Sequence, residues 1–217
     1  VTTPAPPAGG SWAERALAAL AADAVPTPLR PVPLADLPDL PAIGLYVKDE
    51  SAQPTGSVKD RLPARLAVAD PENSAYFPAW ASGCDDYATG MPSRIPGIGR
   101  PRTEPGFRAE LIDLVVPVPD AASVAAMRWL HRAAGLACGP AAGTALWAAC
   151  HLAARMRADG RGGIVVALAG DGAEPYRATH LDPGWLAGQG LDPAPYATRL
   201  DRFAATGEWN WPGKYGS

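Results

Sequence analysis

The chain is short of the residues on which much specialised chemistry depends. It has three cysteines, Cys84, Cys138 and Cys150, widely spaced along 217 residues. They neither pair into a disulfide framework nor cluster with histidine as metal ligands, so no metal site is expected. A reducing, cytoplasmic compartment fits them best. Charged residues make up only 19% of the chain, with the two signs intermixed and a net charge of -3. There is no basic stripe to follow a nucleic-acid backbone, so nucleic acid is not an expected partner. No apolar run approaches the length of a bilayer span, and no signal peptide is recognised before the first expected helix. Membrane partners are likewise not expected.

What is present is an apolar, alanine-rich chain, 47% hydrophobic, with 25 prolines and 23 glycines. That composition is globular, and the length suits one core. The abundant prolines weaken propensity arguments, because structure must bend around many of them. Residues 1–10 are expected to be a loose arm, 11–206 a single α/β domain, and 207–217 an aromatic tail carrying WNWPGKYGS at 209–217. Three histidines are available, His131 and His151 on expected helices and His180 beyond the last expected strand.

Ser11 can cap a helix from Trp12 to Asp23, with Leu17 and Leu20 on its apolar face. Leu29–Val32 reads as extended and Gly44–Lys48 as a strand. A turn is expected at Pro54–Ser57 and a helix over 59–67, with a short strand at Leu66–Ala69 leading into DPENS. Residues 71–110 read as irregular. Leu111–Val118 reads as a strand. Asp120 is expected to cap a helix over 121–134, Gly139–Gly143 to turn, and 144–158 to form a long helix. Ile164–Ala169 reads as a strand, and 184–191 and 195–205 as short helices. This alternation predicts an α/β fold with parallel strands.

The segment most informative for chemistry is LYVKDESAQPTGSVKDR, residues 45–61. A strand delivers a turn of small residues, and Lys59 opens a helix. A helix N-terminus disfavours the ammonium form and so favours a nucleophilic amine. Thr55, Gly56 and Ser57 bring small side chains and free N–H groups where an anion can rest. Set against this, a lone lysine after a turn is commonly an ordinary surface residue, here beside Asp60 and Glu50.

The wider context identifies the segment. PTGSVKDR at 54–61 resembles the lysine segment of the fold-type II pyridoxal phosphate (PLP) enzymes, and TPLR at 27–30 resembles their opening strand. ADPENSAYFPAW (69–80), YATGMPSRIPGIGRPR (87–102), PVPDAASVAAMRWL (117–130) and the block from Gly139 to Asp192 follow in the same order. The chain is similar to the cysteine synthase and L-cysteine desulfhydrase family of actinobacterial type. The resemblance implies an α/β, three-layer fold with a small parallel sheet, a remnant of the family's large domain with the small domain deleted. It implies that Lys59 is the cofactor lysine and that Gly97, Gly99 and Ala142 stand at cofactor-facing positions.

Parts of the family pattern are missing from the chain. The segment after Lys59 runs almost directly into ADPENS, where the family has a Ser-Gly-Asn substrate loop and a Gly/Thr-rich phosphate loop. The family's hydroxyl-bearing loop at the pyridine nitrogen is GPAAG here, with Ala142 at the hydroxyl position. The late Asp-Ser-Gly-(Asp/Glu)-Arg-Tyr motif is DGAEPY, keeping Asp171, Glu174 and Tyr176. Three functions are therefore expected in order. The first is a repurposed protein of specialised metabolism that uses no cofactor and holds a small organic substrate in the former cofactor cleft. It would use Lys59, Tyr176 and His180 as polar groups and Thr55, Ser57 and Asp171 as substrate contacts. The second is a PLP lyase or synthase acting through Lys59 on cysteine-like amino acids. The third is a non-catalytic partner subunit. A homodimer or a complementing subunit is expected under all three.

Overall fold

The structure is a computed structural model and describes residues 29–35, 43–49 and 65–210. Lys59, Thr55, Ser57 and the expected helix over 12–23 lie outside the described residues. Two strands sit in the N-terminal part, β1 (Leu29–Pro31) and β2 (Ile43–Asp49). Three more follow: β3 (Ala67–Pro71), β4 (Leu114–Val118) and β5 (Gly163–Ala169). Among the described residues the helices are α1 (Tyr76–Ser82), α2 (Asp120–Ala134), α3 (Pro140–Ala158), α4 (Pro183–Gly188) and α5 (Ala194–Thr206).

The α/β expectation with parallel strands holds, with the strands divided between two small sheets. One sheet has the order β1-β2-β5, with β2 and β5 parallel and β1 antiparallel at the edge. The other is the parallel pair β3-β4. Helix α3 packs against β2, β3, β4 and β5, and α2 packs against α3. No described helix is long and apolar enough to cross a membrane.

Several local expectations are corrected. The stretch 71–110 contains α1, closed by Gly83 in the left-handed conformation (φ 66°). Ala67 begins a strand and does not end a helix. Leu111 belongs to a 3-10 turn, so β4 starts at Leu114. GPAAG is not a turn: Pro140 sits in the first turn of α3, where its missing N–H costs nothing, and Gly139 is the capping position. Asp120 lies within the first turn of α2, after Pro119 at the cap. Its carboxylate is taken by Arg94 instead.

The core forms where the apolar faces of α2 and α3 meet. Ala122, Ala126, Met127 and Leu130 of α2 are buried against Leu146, Trp147 and Cys150 of α3. The helices touch through backbone. A Cβ on Gly143 would stand 2.0 Å from the Ser123 carbonyl oxygen, closer than any side chain can fit. Beside this contact the Thr144 hydroxyl donates to Ser123 Oγ at 2.8 Å. Trp209 adds an aromatic seal, with its ring 4.7 Å from Trp147 and 5.3 Å from Phe203.

The β1-β2-β5 sheet is covered unequally. Leu45, Val47, Ala167 and Ala169 point to the buried face. On the other face Ile164, Val166 and Leu168 are 70%, 46% and 44% exposed, and Leu29 is 50% exposed. Parallel strands are ordinarily buried on both faces, so this open apolar face is unusual.

Candidate functional site

The segments that follow β3, β4 and β5 meet at one place. Glu72 follows β3, Asp120 follows β4, and Arg94 from the intervening loop binds both. Arg94 Nε donates to Asp120 Oδ2 at 2.8 Å, Nη2 to Glu72 Oε2 at 2.9 Å, and Nη1 to the Gln189 carbonyl at 3.0 Å. Asp120 is wholly buried, and its Oδ1 has no hydrogen-bond partner among the described residues. Burial raises the Asp120 carboxyl above its ordinary value, while Arg94 opposes the rise. Nothing in the sequence singled out this cluster, because Glu72, Arg94 and Asp120 are far apart in the chain.

His180 joins the cluster through the backbone. It is 2% exposed. Its Nε2 lies 2.9 Å from the Arg94 carbonyl oxygen, which can only accept, so the proton is on Nε2. Nδ1 accepts from the Thr179 hydroxyl at 3.1 Å. Burial holds the imidazole below the usual histidine range. With both nitrogens engaged and the ring neutral, His180 holds the 94 loop against the segment after β5.

Tyr176 stands edge-on to His180, ring centroids 5.6 Å apart, and its hydroxyl donates to Asp171. Burial, with the Asp171 contact adding to it, pushes the phenol up to about 12. Tyr176 is therefore a neutral donor at physiological pH. Asp171 lies just after β5, and its carbonyl accepts from the Gly139 N–H at 2.9 Å. A Cβ on Gly139 would meet Asp171 Oδ1 at 2.5 Å and Tyr176 Cε2 at 2.6 Å, so this close approach needs glycine. One turn into α3, Ala142 is 2% exposed.

The expected site residues thus divide into groups. Asp171 and Tyr176 are in contact, with His180 against Tyr176 and Ala142 one helical turn from Gly139. Gly97 and Gly99 belong to the loop after Arg94, both with positive φ (84° and 71°). Gly99 is packed, since a Cβ would meet Pro71 Cγ at 2.8 Å, whereas Gly97 has open space beside it. The three cysteines are free thiols, one exposed and two buried, and burial pushes Cys150 up to about 12. Cys150 is therefore held as an unreactive thiol.

A family model described as pyridoxal-phosphate dependent enzyme matches residues 62–170, beginning three residues after Lys59. The L-cysteine desulfhydrase of Mycobacterium tuberculosis is 46% identical over 149 residues, covering 69% of this chain and 40% of that protein. The cysteine synthase of Entamoeba histolytica is similar with a TM-score of 0.44 and 21% identity, over 56% of this chain and 33% of that one. An O-ureido-L-serine synthase structure gives a TM-score of 0.44 and 21% identity, over 57% and 38%. The chain spans less than half the length of each of these relatives.

Whether the described residues suit PLP is decided at the start of α3. Buried Ala142 offers no polar atom to a ring nitrogen. The nearby polar pair is Tyr176 and Asp171, the phenol donating to the carboxylate while both crowd Gly139. Among the described residues, the start of α3 therefore gives a PLP ring nitrogen no hydroxyl partner, and Lys59 and the turn before it lie outside those residues.

Proposed function

We propose that this chain, which belongs to the pyridoxal-phosphate dependent enzyme family, is a cysteine synthase-like protein of specialised metabolism that works without PLP. In this reading the small domain has been lost, and a small organic substrate binds in the former cofactor cleft beside the start of α3. The observation that carries the proposal is Ala142, buried and apolar where the resemblance calls for a hydroxyl.

Around it, Tyr176 supplies a neutral phenol and Asp171 a carboxylate, a pair suited to recognising a substrate hydroxyl or amine by hydrogen bonding. Lys59, Thr55 and Ser57 complete the site in this reading. His180 fixes the wall on which Tyr176 stands.

A second reading is favoured by the 46% identity to a protein named L-cysteine desulfhydrase. In it the chain acts on the β-carbon of cysteine-like amino acids through Lys59, with a second subunit supplying the missing cradle. The open face of Ile164, Val166 and Leu168 supports association with another subunit in either reading, a second copy being the simplest partner. Sulfide release from L-cysteine separates the two. The first reading predicts none above a protein-free control, with or without added PLP. Release that needs both PLP and Lys59 would establish the second.

A further inference from the structure

The far end of α3 holds a group that neither reading uses. Arg157, in the last turn, is 9% exposed. Its Nε and Nη1 are sealed from solvent and have no hydrogen-bond partner among the described residues. Its guanidinium lies 5.8 Å from the Phe203 ring centroid, which shields the charge without accepting its N–H groups. Burying two guanidinium N–H groups without acceptors is costly, and a water or an ion is one way such a cost is met.

Neither the helix terminus nor a neighbouring acid accounts for an arginine at this position. Cations favour helix C-termini, where free carbonyls await donors. At this end backbone N–H groups take them: Asp159 N–H donates to the Arg155 carbonyl, Gly160 N–H to Arg157, and Arg161 N–H to Met156. The nearby carboxylates are also taken, Asp159 by Arg161 and Glu208 by Arg202.

Arg157 instead lines an open cleft of about 350 Å³ together with Arg155, His151 and Trp209, and none of the described residues lining it is acidic. Trp209 Nε1 donates to His151 Nδ1 at 3.1 Å, which leaves the His151 proton on Nε2. The cleft thus combines two guanidinium groups, an imidazole N–H and an indole wall. It lies about 25 Å along α3 from Gly139, so it is separate from the cleft of the preceding proposal and does not depend on it.

We propose that this cleft binds a small organic oxyanion, a carboxylate or phosphate ester carried on a compact apolar body. Arg157 sets a positive charge in the wall of the cleft for such a group, with its Nε and Nη1 sealed behind it. Arg155 adds a second charge from the exposed side, and Trp209 offers its face to the apolar body.

The test is calorimetric titration of the full chain with phenyl phosphate, benzoate and inorganic phosphate, against sodium chloride at matched ionic strength. Saturable binding of at least one oxyanion is expected, with an organic anion preferred over inorganic phosphate. Arg157→Met should weaken it at least tenfold, and Arg155→Ala, at an exposed position, should weaken it severalfold. Because Arg157→Met removes an unpaired buried charge, its melting temperature without ligand should not fall. Three results would overturn the proposal: no saturable binding to the wild type, binding unchanged in both variants, or an Arg157→Met protein that melts well below wild type while anions stabilise neither.

Discussion

Gly143 of α3 and Ser123 of α2 meet backbone to backbone, leaving only 2.0 Å between a Cβ built on Gly143 and the Ser123 carbonyl oxygen. This contact sets how closely the two central helices approach. The partner atom is main chain and cannot swing aside. Gly143→Ala should therefore cost about 3 kcal/mol or prevent folding. At this chain length 3 kcal/mol corresponds to a fall in Tm of roughly 6–12 °C. Gly188→Ala, where nothing lies within 4 Å, is the control and should be near neutral. Thermal denaturation of the two variants checks both outcomes.

Arg94 is the main neutraliser of buried Asp120, through a 2.8 Å bond. Arg94→Met would leave that carboxylate charged and unpaired. Breaking a buried pair costs about 3–5 kcal/mol, and the low end applies because Arg94 is 34% exposed. The double variant Arg94→Met/Asp120→Leu should recover much of the loss. Urea denaturation of the single and double variants measures it, and a single variant as stable as wild type would contradict the assignment.

Acidification should weaken the fold through His180. Its folded pKa is held below the ordinary value of 6.5 by burial. The unfolded chain therefore takes up the proton first, and the stability present above pH 6.5 is lost as pH falls through the folded value. His151, also lowered mainly by burial, acts with the same sign. The raised carboxyls of Asp70 and Asp120 act oppositely, from 3.8 upward, their contribution falling as pH rises. His180→Gln retains a donor for the Arg94 carbonyl without titrating. Its Tm should vary less than that of wild type between about pH 7 and 5. An unchanged profile would remove His180 from the account.

The open sheet face should mediate self-association. Val166→Glu places a charge at a half-exposed position among Ile164 and Leu168. Sedimentation velocity should show dimers for wild type and monomers for the variant, with similar melting temperatures. A wild-type protein that is monomeric at high concentration would leave this face without the partner assigned to it.

Much of the fold was legible from the chain. Val115, Val116 and Val118 marked β4, and the apolar spacing through Val124, Met127 and Leu130 marked α2. Errors fell where one signal served two structures. The prolines around 71–110 concealed α1, although Gly83 was positioned to end it. The glycines of GPAAG resembled a turn, but Gly143 is required by helix contact and Pro140 is favoured in a first turn. Of the residues in the candidate site, Asp171, Tyr176 and His180 were named from the sequence, and the structure brings Asp171 against Tyr176 and Tyr176 against His180. The Arg94–Asp120–Glu72 cluster was not, since its members come together only through tertiary folding. The same is true of Arg157, whose lack of an acceptor depends on where Arg161 and Arg202 send the neighbouring acids.

PLP independence is the property proposed for this chain despite its family. The most direct test is an absorbance titration of the purified protein with PLP, performed in parallel on Lys59→Ala. Identical spectra are expected for the two proteins, with only the weak reaction that any exposed lysine shows. A saturable visible band that forms in wild type and is lost in Lys59→Ala would contradict it.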